Sequence, residues 1–248
     1  VSADELDPAL ATGPQHAAPS LAYPLGTDNF GRSVLDLLIA GARVSLLVGL
    51  TAALGAMLIG AVVGISAGYF AGTKTDTLLN ALTNWFLVIP WLALAIALAT
   101  VLGASLTNVI VVIAVTSWAS TARVVRAQSL SVRERAHVER ARALGGSHWH
   151  IVTRHVLPNV FPILFANTIL MVALAILSET TLAILGLSDP IAISWGKIIE
   201  DAFTGGAMTA GWWWWLIPPG VCIVLVTLAF TMVGFALDEI LSPRLRRR

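Results

Sequence analysis

The chain has 248 residues, of which 57% are hydrophobic and 12% charged, with a formal net charge of +1 at pH 7. A soluble domain holds about 45–50% apolar and about 25% charged residues, so this balance excludes an ordinary water-soluble fold and describes a membrane protein. The lone cysteine, Cys222, excludes an intrachain disulfide and lies in an apolar run as a small core residue.

The first residues, "VSADELDPALATGPQHAAPS", are acidic and rich in Pro and Ala. They lack the basic and apolar regions of a signal peptide and read as an extended, water-exposed opening to an extracytoplasmic lead-in segment over residues 1–43. Val1 in place of a methionine points to something upstream that is removed or left out.

Five apolar runs follow, over about residues 44–70, 77–102, 108–125, 160–186 and 216–237. Each is near or above the roughly 20 residues that a helix needs to cross the hydrocarbon of a bilayer. The expected fold is therefore all-α, a polytopic transmembrane bundle of five spans over 44–241, with a basic tail at 242–248. An odd number of spans puts the two ends on opposite sides. With the C-terminus inside, Lys74, the seven arginines from Arg123 to Arg154 and the four of "RLRRR" are cytoplasmic, 12 of the 15 basic residues. The positive-inside rule thus places the C-terminus in the cytoplasm and the N-terminus outside.

In the first run, Ala52, Ala56, Gly60, Gly64 and Gly68 recur every fourth residue and form one small-residue ridge on a helix. In lipid such a ridge lets backbones approach closely, so Gly60, Gly64 and Gly68 are assigned to helix packing. Pro90 should kink the second run. The loop at 187–215 is the longest outer one, with an amphipathic stretch from Trp195 to Phe203 that reads as a short helix lying flat on the surface. "GWWWWL", Gly211 to Leu216, reads as an interfacial tryptophan belt.

The polar segment at 126–158 interrupts the apolar pattern on the cytoplasmic side. "SVRERAHVERARAL" is rich in helix formers, with a capping-box spacing from Ser131 to Glu134 and Arg135 placed to pair with Glu139. Gly145 and Gly146 end that helix, and "SHWHIVTRHVLP" restarts at Ser147 and is expected to stop before Pro158. No P-loop, HExxH, CxxC or GxSxG pattern is present, and His148 with His150 has no further ligands nearby in sequence. The residues therefore point to no catalytic site, no metal site and no nucleic-acid surface.

Glu139, Ala141, Gly145, His155, Leu157 and Pro158 stand at the spacing of the cytoplasmic signature of ABC importer permeases, Glu-Ala-Ala, three residues, Gly, nine residues, then an apolar residue or His, any residue and Leu-Pro. Arg140 departs from it, standing where the first Ala is usual. With "YPLGTDNFGRSVLDLLIAGARVSLLVG", "AGYFAG", "RHVLPNV", "ETTLAILGL" and "SWGKII", the chain resembles the shorter permease subunit of the dipeptide/oligopeptide (peptide/nickel) importers from Pro24 to Leu245. That resemblance implies six spans per subunit in the family, the first of them preceding this chain's start. It implies a bacterial inner-membrane location, a homologous second permease, one or two cytoplasmic ATPases that bind ATP and Mg, and an extracytoplasmic binding protein. It makes 126–158 a coupling loop, in which Glu139, Arg140, Ala141, Gly145, Gly146, His155, Leu157 and Pro158 meet the ATPase. It implies transport of peptides or related small solutes, with no cofactor held by this chain.

Glu179, inside the fourth run, supports the alternative of a proton- or ion-coupled secondary transporter, because intramembrane carboxylates often line solute paths. It shares a helix face with Thr168 and Ala175. Two readings stand side by side: a translocation path along Glu179, Thr168 and Ala175, or a buried carboxylate hydrogen-bonded to a hydroxyl such as Thr180 or to a neighbouring helix.

Overall fold

The computed structural model describes residues 7, 8 and 11–241. The 242–248 tail and the first six residues of the lead-in lie outside the described residues. Among the described residues the protein is all-α, with one isolated bridge between Thr27 and Ser33. The helices are α1 (Val34–Tyr69), α2 (Lys74–Val88), α3 (Trp91–Leu102), α4 (Leu106–Arg133), α5 (Ala136–Ala143), α6 (His148–Ile184), α7 (Trp195–Thr204), α8 (Ala207–Ala210) and α9 (Trp213–Leu241). Four of them, α1, α4, α6 and α9, are long and apolar enough to cross a membrane, and α2 with α3 reaches that length only as a bent pair, a broken span or a re-entrant loop.

The break is sharper than the kink expected at Pro90, for α2 and α3 meet at 91°. Ile89, the residue before proline, has φ −68° and ψ 129°. Pro crowds the α region for its predecessor, so the chain turns extended there and the helix stops instead of bending. With 15 and 12 residues, α2 and α3 reach about 22 and 18 Å, and neither crosses about 30 Å of hydrocarbon alone.

The chain divides into two compact units. One holds Thr51–Leu98, Val111–Val172 and Phe230–Arg248. Here the glycine ridge of α1 lies against α4: a Cβ on Gly60 would stand 2.7 Å from Thr121 Cβ, one on Gly64 2.6 Å from the Ala122 carbonyl oxygen, and one on Gly68 2.6 Å from the Arg126 carbonyl oxygen. No side chain fits between these backbones. Further along, Ala61, Ile65 and Tyr69 of α1 pack with Val125 and Val132 of α4, Val138 of α5, and Ile151, Val156, Val160 and Leu164 of α6 in one apolar core.

The other unit holds Val1–Leu50, Ala99–Ile110 and Ala173–Ala229. Its lead-in is not the extended segment expected. Thr27 and Asp28 are fully buried, Asp28 accepts from Arg32 Nε at 2.6 Å, and the Thr27 hydroxyl donates to the Pro14 carbonyl and accepts from Ala17 N. The tryptophan cluster explains this order. His16 stacks on Trp212 at 3.6 Å between ring centroids, Trp214 donates to the Thr27 carbonyl, and Trp215 is buried. Only Trp213 of the four is exposed, and the run serves as a packing floor for the lead-in. In the same unit the Asp189 carboxylate accepts from Ile191 N, Leu106 N and Ala192 N, joining the loop before α7 to the first turn of α4. These backbone donors hold its pKa below the usual carboxylate range.

Gly64→Ala should lower the melting temperature of the detergent-purified protein, since the methyl group must displace backbone at a cost of about 1–3 kcal/mol. Gly220→Ala, a helix position with nothing within 4 Å of the new methyl group, should leave stability unchanged or raise it by up to about 1 kcal/mol. Equal melting shifts for the two would refute close packing along the ridge.

A carboxylate with a depressed folded value adds stability above its unfolded pKa of about 3.9 and loses it as pH falls through the folded value. Thermal melts should therefore show Asp189 stabilising the protein near neutrality, with the loss setting in below about pH 4. The Asp189→Asn variant should be less stable at pH 7 and show a smaller acid-dependent drop.

Candidate cytoplasmic coupling site

The polar segment folds otherwise than its capping signals suggested. The helix preceding it, α4, has no Gly or Pro to stop it and continues through Ser131 to Arg133, so Ser131 caps nothing. The break falls at Glu134 and Arg135, and Arg135 is the N-cap of α5, with φ −78° and ψ 143°. Arg135 does not pair with Glu139; its Nη1 donates to Asn159 Oδ1 on α6 at 3.0 Å, while Glu139 and Arg140 lie on the exposed face of α5.

The end of α5 is a left-handed glycine turn. Gly146 N donates to the Ala141 carbonyl at 3.0 Å and Gly145 N to the Arg142 carbonyl at 3.1 Å, with Gly145 at φ +81°. This pairing satisfies the carbonyls left over at a helix terminus, and the positive φ is what makes glycine necessary. Gly146 is needed for space instead: a Cβ there would stand 2.8 Å from the Ala141 carbonyl oxygen. Ser147 then caps α6 by accepting from His150 N at 3.2 Å.

The restarted helix does not stop before Pro158. It passes through a π turn over Val152–Val156, in which Leu157 N donates to the Val152 carbonyl, and runs on as a span to Ile184. Pro158 supplies no donor and crowds the preceding turn. The widened turn accommodates both effects, and the Asn159 side chain donates to the His155 carbonyl at 2.8 Å. Leu157 and Pro158 are exposed and His155 is half-buried.

The underside of this segment is fixed by Val138, Ile151, Val156 and Val160, each fully buried. Polar contacts anchor its borders. Tyr69 Oη lies 2.8 Å from His148 Nδ1, Arg133 donates to the Ala71 carbonyl at 2.7 Å, and Arg126 forms a two-point ion pair with Asp76 at 2.9 and 3.0 Å. Arg123 donates to Asn84. Most of the arginines that marked the loop as cytoplasmic are thus bound to protein, which a simple lipid anchor would not require. Above this base, His137, Arg140, Ala141, Leu144, Gly146, His150 and His155 line an open hollow of about 520 Å³. Leu144 and Trp149 project beside it with 88% and 77% exposure. His155 lies 5.8 Å from both His137 and His150 between ring centroids, yet among the described residues no group of three side chains could hold a metal ion. His137 carried no signal in the sequence, because the turn at Gly145 alone folds it back towards α6.

Glu179 is fully buried. Its Oε1 accepts from Ser194 Oγ at 2.6 Å, and that hydroxyl in turn accepts from Lys197 N as the cap of α7. Thr180 is not its partner, since its hydroxyl donates to the Ile176 carbonyl. The neighbouring Trp195 donates from its backbone to Ser45 Oγ at 3.0 Å and from its indole to the Leu38 carbonyl at 2.9 Å. Gly196 lies so close to α6 that a Cβ would meet Thr180 Cα at 2.8 Å. The apolar face of α7, Trp195, Ile198 and Ala202, is therefore packed into protein. On its other face Lys197 is bonded to Glu200 and Asp201. Burial acts against its charge, but the two carboxylates outweigh this and raise its pKa. Thr168 and Ala175 are also buried, with Thr168 donating to the Leu164 carbonyl. Thr168 is three turns from Glu179, roughly 16 Å along the helix.

Residues 60–247 match the model of the family described as binding-protein-dependent transport system inner membrane component. The chain belongs to this family. It is 37% identical over 229 residues to a Brucella suis chain named as a permease protein of a peptide transport system, an overlap of 92% of this chain and 76% of that one. It is 35% identical over 229 residues to the dipeptide transport system permease protein of Alkalihalophilus pseudofirmus, covering 92% and 74%. Among solved structures, a chain of the inward-facing MetNI methionine ABC transporter matches with a TM-score of 0.63 at 20% identity, over 82% of this chain and 97% of that one. That likeness bears on the fold: an all-α, membrane-spanning ABC importer permease.

Glu179→Gln should leave the folded protein intact, because the amide oxygen still accepts from Ser194. Glu179→Ala should lower stability by about 1–3 kcal/mol through a buried hydroxyl deprived of its partner. Melting curves in detergent test this, and an Ala variant as stable as the Gln variant would show that the bond holds nothing.

Proposed function

We propose that this chain is the permease subunit of an ATP-driven importer of di- or oligopeptides, and that α5 is where the ATPases act on it. A homologous second permease completes the path, an extracytoplasmic binding protein delivers solute, and ATP with Mg belongs to one or two cytoplasmic ATPase subunits. The chain itself is a transport subunit and not an enzyme. It lies in the bacterial inner membrane with its C-terminus in the cytoplasm, a placement supported by the distribution of basic residues. The names of its relatives support peptides as the solute class.

The observation that carries this reading is the build of the α5 hollow. Exposed Glu139, Arg140, Leu144 and Trp149 surround the half-buried Ala141 and the glycine turn, while the layer beneath them is fully buried. Small residues at 141, 145 and 146 let another protein approach the backbone. The rigid apolar underside gives its push something to act on.

A Cβ on Gly145 would meet nothing within 4 Å, so Gly145→Val acts only through the backbone. At φ +81° a β-branched residue is strongly disfavoured and the turn must open. In complexes purified with the companion permease and ATPases, a cysteine at Leu144 introduced after Cys222 is replaced should crosslink to an ATPase subunit. Gly145→Val should reduce that crosslink and the stimulation of ATP hydrolysis by loaded binding protein, while leaving membrane insertion intact. Normal uptake by Gly145→Val, with no crosslink from position 144 in the parent, would defeat the proposal.

A further inference from the structure

Glu134 and Arg135 join α4 to α5, and the backbone bonds that close one helix and open the other meet at Arg135. Its N–H donates to the Val132 carbonyl at 3.1 Å, finishing α4, and its own carbonyl accepts from Val138 N at 2.9 Å and Glu139 N at 3.2 Å, opening α5. Between these two sets of bonds its backbone is extended, and rotation about it would swing α5 without breaking a helical turn.

The third helix is reached by its side chain. Nη1 donates to Asn159 Oδ1 at 3.0 Å, and Asn159 Nδ2 donates to the His155 carbonyl at 2.8 Å, inside the π turn of α6. The amide orientation follows from its neighbours: turned over, its NH₂ would face a guanidinium, which only donates, and its oxygen would face a carbonyl, which only accepts. Both residues are half-buried, so the contact is shielded from water without being sealed. The place it spans is the softest in α6, a widened turn over Val152–Val156 followed by Pro158, which contributes no backbone donor.

We infer that the Arg135–Asn159 pair is a strut that ties α5 to α6 across the π turn, so that displacement of α5 moves the α6 span instead of being absorbed by the turn. The two residues are positioning residues; neither touches solute or nucleotide. The inference rests on the reading that cytoplasmic ATPases act on α5. Without the strut, α5 would still present its docking face, because the glycine turn and the apolar underside do not involve Asn159. Docking and hydrolysis would continue, but less of the movement would reach the membrane.

The test uses the complete complex in proteoliposomes, measuring both solute uptake and ATP hydrolysis in the presence of loaded binding protein. Asn159→Leu removes both bonds at similar volume, and Arg135→Met removes the donor while leaving the Asn159 bond to His155 in place. Both variants should assemble, keep the Leu144 crosslink and hydrolyse ATP within about two-fold of the parent. Solute carried per ATP should fall by about five-fold or more in each, and the double variant should be no worse than the poorer single one, as expected of one shared interaction. Asn159→Asp, which keeps an acceptor for Arg135, should retain more coupling than Asn159→Leu. A parent complex that imports in an ATP-dependent way, with variants that keep its ratio of solute to ATP or with additive losses, would overturn the strut alone. A parent complex without ATP-driven uptake would overturn the importer reading and the strut together. Failure of both single variants to assemble would make the pair a folding element and equally overturn the proposal.

Discussion

Direct backbone contact between α1 and α4 is the constraint from which the unit that holds the polar segment follows. In lipid, apolar side chains gain little by leaving one hydrocarbon environment for another, so helices associate through van der Waals contact and polar bonds. Gly60, Gly64 and Gly68 leave no side chain along the ridge itself, and Thr121, Val125 and Ser129 of α4 fill the space. That proximity brings Arg126 to Asp76 in the first turn of α2 and, two turns further along α4, Arg133 to the Ala71 carbonyl just before it. An ion pair at this depth is tolerable because both partners are met at two points, with Gly72 N adding a third donor to Asp76.

On that base the polar segment becomes a shaped surface and not a loop. The buried valines and isoleucine hold its underside, the glycine turn folds it back, and Arg135 joins α4, α5 and α6 through one side chain. The guanidinium groups of Arg126, Arg133 and Arg135 thus tie the helix ends. A surface that is rigid below and accessible above is suited to receive movement from another protein and pass it on.

In the other unit the same economy governs a carboxylate. Glu179 would be costly in an apolar helix if left alone, but one oxygen accepts from the residue that caps α7, and the indole and backbone of Trp195 fasten the same helix to α1. The feature that most favoured an ion-coupled carrier is engaged in holding α7. The lead-in is held in a comparable way, by ring stacking on tryptophans that hydropathy alone would assign to the lipid boundary.

The sequence by itself determined whatever depends on local pattern. Run length set the spans, the four-residue repeat of small residues marked the α1 ridge, Gly145 and Gly146 marked the end of α5, and Ser147 its successor's cap. These features need only neighbours within a turn or two. Only the tertiary structure decided what depends on partners distant in the chain. Whether Ser131 caps a helix depended on whether α4 had reason to stop, and the packing of Val132 beneath it carried the helix through. Arg135 had Glu139 within reach by spacing, but a guanidinium is satisfied by the acceptor nearest in space, and the fold put Asn159 there. Pro158 looked like an end because it lacks a donor; a π turn and one asparagine side chain made it passable. Pro90 looked like a kink, and no comparable compensation at Ile89 let the helix continue. Such outcomes turn on which groups a fold brings within about 3 Å of each other, and spacing along a chain does not contain that information.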